Sequence, residues 1–258
     1  MRYHDGPTPS QKPGHGKVEP QPHDCLIWVL LAPTSSEEPY KSQYDAAVER
    51  LVTALRAEEG LWHVTHLVNQ GPPSVPHCAP SMIARASRGS LLVQAKPNDF
   101  GSTHPKLQSF LEHGNTAVEA GPIVRWSINT YELVQNYEPR TSKSLTGTCV
   151  VTVSIQPSPG QETEVDSWYR KDTLPLLGAT SPELFLRCRR YKRVETSGGS
   201  GQLGAGGSPE MLAVNEYLSV KALFQHALTK GPVVEETERS KRVLGGARKV
   251  ERTVWEVV

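Results

Sequence analysis

The sequence predicts an α+β chain made of two β-α-β-β-α-β, or ferredoxin-like, units. Three observations lead there. A shift of 124 residues lays Cys25-Leu-Ile-Trp-Val-Leu-Leu-Ala-Pro33 on Cys149-Val-Val-Thr-Val-Ser-Ile-Gln-Pro157. The same shift lays Thr130-Tyr-Glu-Leu-Val134 on Val254-Trp-Glu-Val-Val258. Between these landmarks each half alternates β-prone runs with amphipathic stretches in the same order, the pattern of a duplicated unit.

In the first unit (25–134), residues 25–32 form a short apolar run ended by Pro33, a buried strand. Tyr44, Val48, Leu51, Val52 and Leu55 recur at helical spacing, so a helix is predicted from about Pro39 to Ala57, with Gly60 as its stop. Leu61–Val68 alternates as a strand. Gln70–Gly89, rich in Pro and Ser, reads as a long loop, and Ser90–Ala95 as the third strand. A helix near Pro105–His113 carries Leu107, Phe110 and Leu111 on one face, and Ile123–Val134 is the fourth strand. The polar segment 135–148, with Pro139 and Gly147, is the predicted linker.

The second unit (149–258) repeats the order. Val150–Ile155 is a strand, and Glu164–Thr173 a helix stopped or bent by Pro175, whose ring clashes with the preceding turn. Leu184–Val194 is a strand, Ser197–Ser208 a Gly-rich loop, and Met211–Tyr217 a strand. Val220, Leu223, Phe224, Ala227 and Leu228 mark an amphipathic helix, Glu235–Arg242 extends the helical region, and Val250–Val258 closes the chain. In each unit the helices cover one sheet face. The other faces are buried most simply against each other.

Lys and Arg number 28 against 27 Asp and Glu, a balance that argues against a nucleic-acid partner. No apolar run approaches the ~20 residues of a membrane span. Residues 1–24 carry His4, His15 and His23 among Pro, Gly and Gln without an apolar core, so a disordered leader is expected rather than a signal peptide. A cytoplasmic monomer or homodimer is the resulting expectation. Cys25, Cys78, Cys149 and Cys188 lack paired spacing, which argues against a zinc site or a disulfide framework. Cys25 and Cys149 open matching strands and read as small buried hydrophobes. The glycines of 198–207 end in no Gly-Lys-Ser/Thr and lead into no helix, so they read as a flexible loop. No hydrolase elbow, dinucleotide fingerprint or paired metal motif is present, and neither a metal nor another cofactor is expected.

Three stretches carry a resemblance: Trp168-Tyr-Arg-Lys-Asp-Thr-Leu-Pro-Leu-Leu177, Leu184-Phe-Leu-Arg-Cys-Arg-Arg-Tyr191 and Met211-Leu-Ala-Val-Asn-Glu-Tyr217. Together with Arg252-Thr-Val-Trp-Glu256 they resemble fungal EthD-like proteins of the dimeric α+β barrel superfamily. The resemblance covers most of the second unit. The first unit matches in layout, with Tyr44-Asp45 at the aromatic helix position. It implies two units fused as an intrachain dimeric α+β barrel around an apolar chamber. Relatives in that superfamily cyclise, isomerise or decarboxylate polyketide-like intermediates without cofactor, and others are oxygenases or haem-degrading enzymes. This chain departs from the family pattern in having Thr173 and Asn215 where histidines are usual. Neither residue carries protons at neutral pH as imidazole does.

The candidate catalytic residues are His63, Asp172 and Arg187; the candidate substrate contacts are Trp62, His66, Trp168, Tyr169, Arg189 and Asn215. His63 and His66, three apart on a strand, point to opposite faces. Arg187, Arg189 and Tyr191 share one strand face, and Cys188 and Arg190 the other. The arginines either polarise a carbonyl or carboxylate, or pair with acids such as Glu216 on the neighbouring strand. Asp172 lies three residues beyond Tyr169 on one helix face and serves as a base if desolvated. Asn215 offers a donor and an acceptor. Trp62, Trp126, Trp168 and Trp255 either wall a pocket or fill the core. The expected function is a cofactor-independent tailoring enzyme of fungal secondary metabolism. It would fold an apolar polyketide- or terpenoid-like intermediate into a cyclisation or pericyclic rearrangement, such as an intramolecular Diels–Alder reaction. Orientation alone supplies up to ~7–11 kcal/mol to such reactions. The alternatives are a non-catalytic small-molecule-binding protein, or a decarboxylase or isomerase using Asp172 or His63.

Overall fold

The computed structural model describes residues 25–33, 40–57, 61–69, 89–95, 124–139, 147–198, 209–230 and 237–258, with part of 105–112. The leader, the Pro/Ser-rich loop over 70–88 and residues 199–208 of the Gly-rich loop lie outside them.

The first half contributes β1 (Cys25–Pro33), α1 (Tyr40–Ala57), β2 (Leu61–Asn69), β3 (Gly89–Ala95) and β4 (Val124–Tyr137). Within 105–112 the described residues are helical, with Leu107 and Leu111 buried. The second half contributes β5 (Cys149–Gln156), α2 (Glu162–Trp168), a π-helical turn (Tyr169–Thr173), α3 (Leu174–Thr180) and β6 (Phe185–Gly198). It ends with β7 (Met211–Tyr217), α4 (Val220–Lys230), α5 (Glu238–Gly246) and β8 (Lys249–Val257).

The strands pair antiparallel into a closed barrel in the order β1-β3-β2-β8-β5-β7-β6-β4. Each half therefore reads fourth-first-third-second. Register repeats as well as order. Cys25 faces Glu132 across β1/β4, and Cys149 faces Glu256 across β5/β8. The β2/β3 pairing shifts between Leu61 and His63, and β6/β7 shifts between Phe185 and Arg187. The halves join at Leu67↔Val257 and at Leu133↔Tyr191. All three correspondences obey the shift of 124 that the sequence carries.

Strand alternation divides the apolar residues into three layers. Leu26, Trp28, Leu30, Leu67, Tyr131, Tyr191, Leu212, Val214 and Trp255 fill the barrel interior. The Trp255 indole donates to Thr152 Oγ1 at 2.9 Å, and the Trp28 indole donates to Ser90 Oγ. Outside, Ile27, Val29, Val64, Val93 and Ile128 pack under Tyr44, Val48, Leu51, Val52 and Leu55 of α1. On the second half's outer face, Cys149, Ile155, Phe185, Cys188, Ala213 and Tyr217 pack under Val165, Trp168, Tyr169, Leu174 and Leu177.

Several boundaries differ from expectation. β4 continues three residues into the predicted linker, and β6 runs to Gly198, into the predicted loop. Long cross-strand pairing between β4 and β6 closes the barrel and extends both. Pro175 does not end the helical segment. Its missing N–H falls in the first turn of α3, where a donor has no helical partner in any case. The preceding π-turn absorbs the irregularity, with the Leu174 N–H bonding Tyr169 O five residues back. The charged segment predicted from Glu235 forms a separate helix, α5, capped by the Thr237 side chain.

Candidate functional site between the second-half sheet and its helices

The structure brings three of the predicted contacts, Trp168, Tyr169 and Asn215, into the layer between the second-half sheet and its helices. Trp168 ends α2 and donates its indole N–H to Ser240 Oγ of α5 at 3.1 Å. Its ring meets Tyr169 edge-on, centroids 4.7 Å apart. The Arg190 guanidinium, only 3% exposed, lies 4.4 Å over the Tyr169 ring. Arg190 Nη1 also donates to Gln135 Oε1 at 2.6 Å and to Asp166 Oδ1 at 2.9 Å. Arg170 Nε holds the other Asp166 oxygen at 2.7 Å. Burial would raise the Asp166 carboxyl, but the Arg170 bond and the Arg190 charge outweigh it and hold it below the ordinary carboxylate value.

The π-turn decides which side chains face the sheet. It holds one residue more than an α-turn, so the inward face advances by one position. Thr173 turns inward, 7% exposed. Asp172 instead meets Arg239 Nη1 of α5 at 2.9 Å, and Arg239 Nη2 also donates to Ser167 Oγ. Asp172 is thus a half-buried, paired carboxylate and does not share the inward face of Tyr169, contrary to the spacing argument.

Asn215 lies on β7 between Cys188 of β6 and Val151 of β5. Its Nδ2 donates to Val151 O at 3.1 Å. Its Oδ1, and Thr173 Oγ1, are buried without a hydrogen-bond partner. Desolvation keeps the neighbouring thiols protonated: Cys188 and Cys149 are each pushed up to about 12. Burial also raises the Tyr169 and Tyr217 phenols well above their ordinary value.

The other candidates lie elsewhere. Arg187 and Arg189 point into the barrel and converge on Glu216, at 2.7 and 3.5 Å. That is the ion pairing weighed as their alternative. Arg187 Nε is buried without a partner. His66 lies in the first half beside Arg56 and Asp45 of α1; burial and then the Arg56 charge lower its pKa, against Asp45. His63 and Trp62 belong to β2, and their side chains lie outside the described ones. Trp126, Trp168 and Trp255 occupy three different layers and so do not wall one pocket. Among the described residues no group of three or more His, Cys, Asp and Glu could hold a metal ion. No described helix is long and apolar enough to cross a membrane.

Arg190, Gln135, Asp166 and Cys188 were not singled out as site residues. The repeat offered one signal: it aligns Arg190 with His66 and Tyr169 with Asp45; Arg190 lies over the Tyr169 ring, and the Asp45 charge acts on His66.

No family model and no curated protein matches the chain. Solved structures do. An anthrone oxidase-like protein aligns with a TM-score of 0.58 at 13% identity, covering 92% of each chain. A putative monooxygenase from Fusobacterium nucleatum aligns at 0.52 and 9% identity, covering 91% of this chain and 93% of that one. Chlorite dismutase from Candidatus Nitrospira defluvii aligns at 0.51 and 8% identity, covering 91% of both. These likenesses assign the dimeric α+β barrel fold.

Proposed function

We infer that the chain is two fused ferredoxin-like units forming an intrachain dimeric α+β barrel, and that it is a small-molecule tailoring enzyme whose substrate sits in the second-half sheet–helix layer. The repeated strand order, register and bulges support the first part. One observation carries the second: the layer's described carboxylates, thiols and phenols are paired or held neutral, while neutral hydrogen-bonding groups are left over; the buried His226 of α4 meets Ser181 Oγ through Nε2 and leaves Nδ1 unpartnered. Asp166 and Asp172 are paired with arginines, and the thiols and phenols stay protonated. Asn215 Oδ1 and Thr173 Oγ1 stand unpartnered. Such carboxylates, thiols and phenols orient and polarise without transferring a proton. That suits cyclisation or pericyclic rearrangement of an apolar, polyketide- or terpenoid-like intermediate, including an intramolecular Diels–Alder step. Arg190 would fix Tyr169 as one wall. The resemblance to EthD-like proteins points the same way.

Incubation of the purified protein with candidate linear intermediates, without metal or nucleotide, tests this reading. Ring-closed product and a nearly flat rate profile across neutral pH are expected. A rate falling steeply around one ionisation would favour the decarboxylase or isomerase alternative, and binding without turnover the non-catalytic one. A second reading takes its support from the anthrone oxidase-like and putative monooxygenase neighbours. The same layer would hold an electron-rich ring while O2 oxidises a methylene to a carbonyl and is itself reduced, one oxygen atom entering the carbonyl and the other leaving as water. Substrate-dependent O2 consumption distinguishes it from ring closure.

A further inference from the structure

We propose that the second-half layer selects a ligand carrying a neutral enolic or phenolic hydroxyl, which donates to Asn215 Oδ1 while Thr173 Oγ1 engages the same molecule from the helix side, and that the first half has no counterpart of this site. The inference deepens the proposed function and rests on the ligand occupying that layer.

The two halves provide the comparison. The strand registers Ile27↔Val93 and Val151↔Asn215 put Val93 in the place of Asn215. Val64 stands in the place of Cys188 by the shift of 124. Counting in the extra π-turn residue, Val48 stands in the place of Thr173. All three valines are buried in the first half's apolar core. Among the described residues these three positions are apolar, the arrangement packing alone favours. In the second half the same positions carry polar atoms, 4% exposed at Asn215 and 7% at Thr173, at the cost of burying hydrogen-bonding groups unsatisfied. One Asn215 Nδ2 hydrogen goes to Val151 O, and Oδ1 is left as an unpartnered acceptor. A buried, unpartnered acceptor favours a ligand O–H over an ether oxygen, which has no hydrogen to give. The π-turn supplies the second group: it turns Thr173 to the buried side of the helical segment, where its Oγ1 has no partner.

Titration calorimetry of the full chain with a dihydroxynaphthalene and its dimethyl ether tests the proposal. One dihydroxynaphthalene per chain is expected, bound about tenfold or more tighter than the ether. Asn215→Val, the first half's residue, abolishes the preference and raises the thermal midpoint. Thr173→Val weakens the diol similarly, and Thr173→Ser restores it. Equal binding of diol and ether, two sites per chain, binding of neither, or a preference that survives N215V would each overturn the proposal. If N215V does not fold, T173V and its serine control decide alone. Probe binding with no turnover of any intermediate would instead remove the tailoring-enzyme reading and leave the site standing.

Discussion

Replacing Arg190 with Met isolates the interaction that ties the second-half helices to the sheet. Met keeps a long apolar stem and removes the guanidinium. Three contacts go at once: the face of Tyr169 at 4.4 Å, Gln135 Oε1 at 2.6 Å and Asp166 Oδ1 at 2.9 Å. Breaking a buried ion pair costs ~3–5 kcal/mol when the partner charge is stranded. Asp166 is a third exposed and keeps Arg170, so its share is much smaller. Gln135 is left buried with an unpaired oxygen, ~1–3 kcal/mol, and the cation–π contact adds ~1 kcal/mol. The expected loss is about 3 kcal/mol, or roughly 6–12 °C of midpoint for a chain of this size. Urea unfolding should show a lower midpoint with an unchanged slope. The double variant R190M/Q135L, which removes both hydrogen-bonding partners, should recover part of the loss. A single variant within ~0.5 kcal/mol of the parent, or a double variant no more stable than the single, would refute the argument.

The same network predicts pH behaviour. Asp166 titrates below its ordinary value in the folded state, so its stabilisation is present above the unfolded pKa of ~3.9 and is lost as pH falls through the depressed folded value. In R190M the depression shrinks, and acid unfolding measured by circular dichroism should begin at higher pH. Gly147→Ala should destabilise strongly, because an added Cβ would overlap the Tyr217 carbonyl oxygen, which the sheet cannot move; ~2–3 kcal/mol lost in urea unfolding is expected. Cys149 and Cys188 should resist thiol reagents in the native protein at neutral pH and react only on unfolding, because both are fully buried and held as thiols up to about 12.

The sequence by itself determined the mixed α+β character, the order of the strands along the chain and most of the helices. Those features rest on local pattern: apolar alternation marks β1 and β5, and the spacing of Tyr44, Val48 and Leu55 marks α1. The 124-residue shift was legible because the strands it relates share their pairing register, which holds even where identity is low. The alternation of Arg187, Arg189 and Tyr191 against Cys188 and Arg190 was legible for the same reason. Only the tertiary structure decided which side chains meet. The π-turn at Tyr169–Thr173 has no local signature beyond Pro175, yet it turns Thr173 inward and sends Asp172 to Arg239. Barrel closure, a pairing of distant strands, drew β4 and β6 past their apparent ends. Periodicity reports which face a residue occupies. What that face meets depends on long-range packing, which no local window contains.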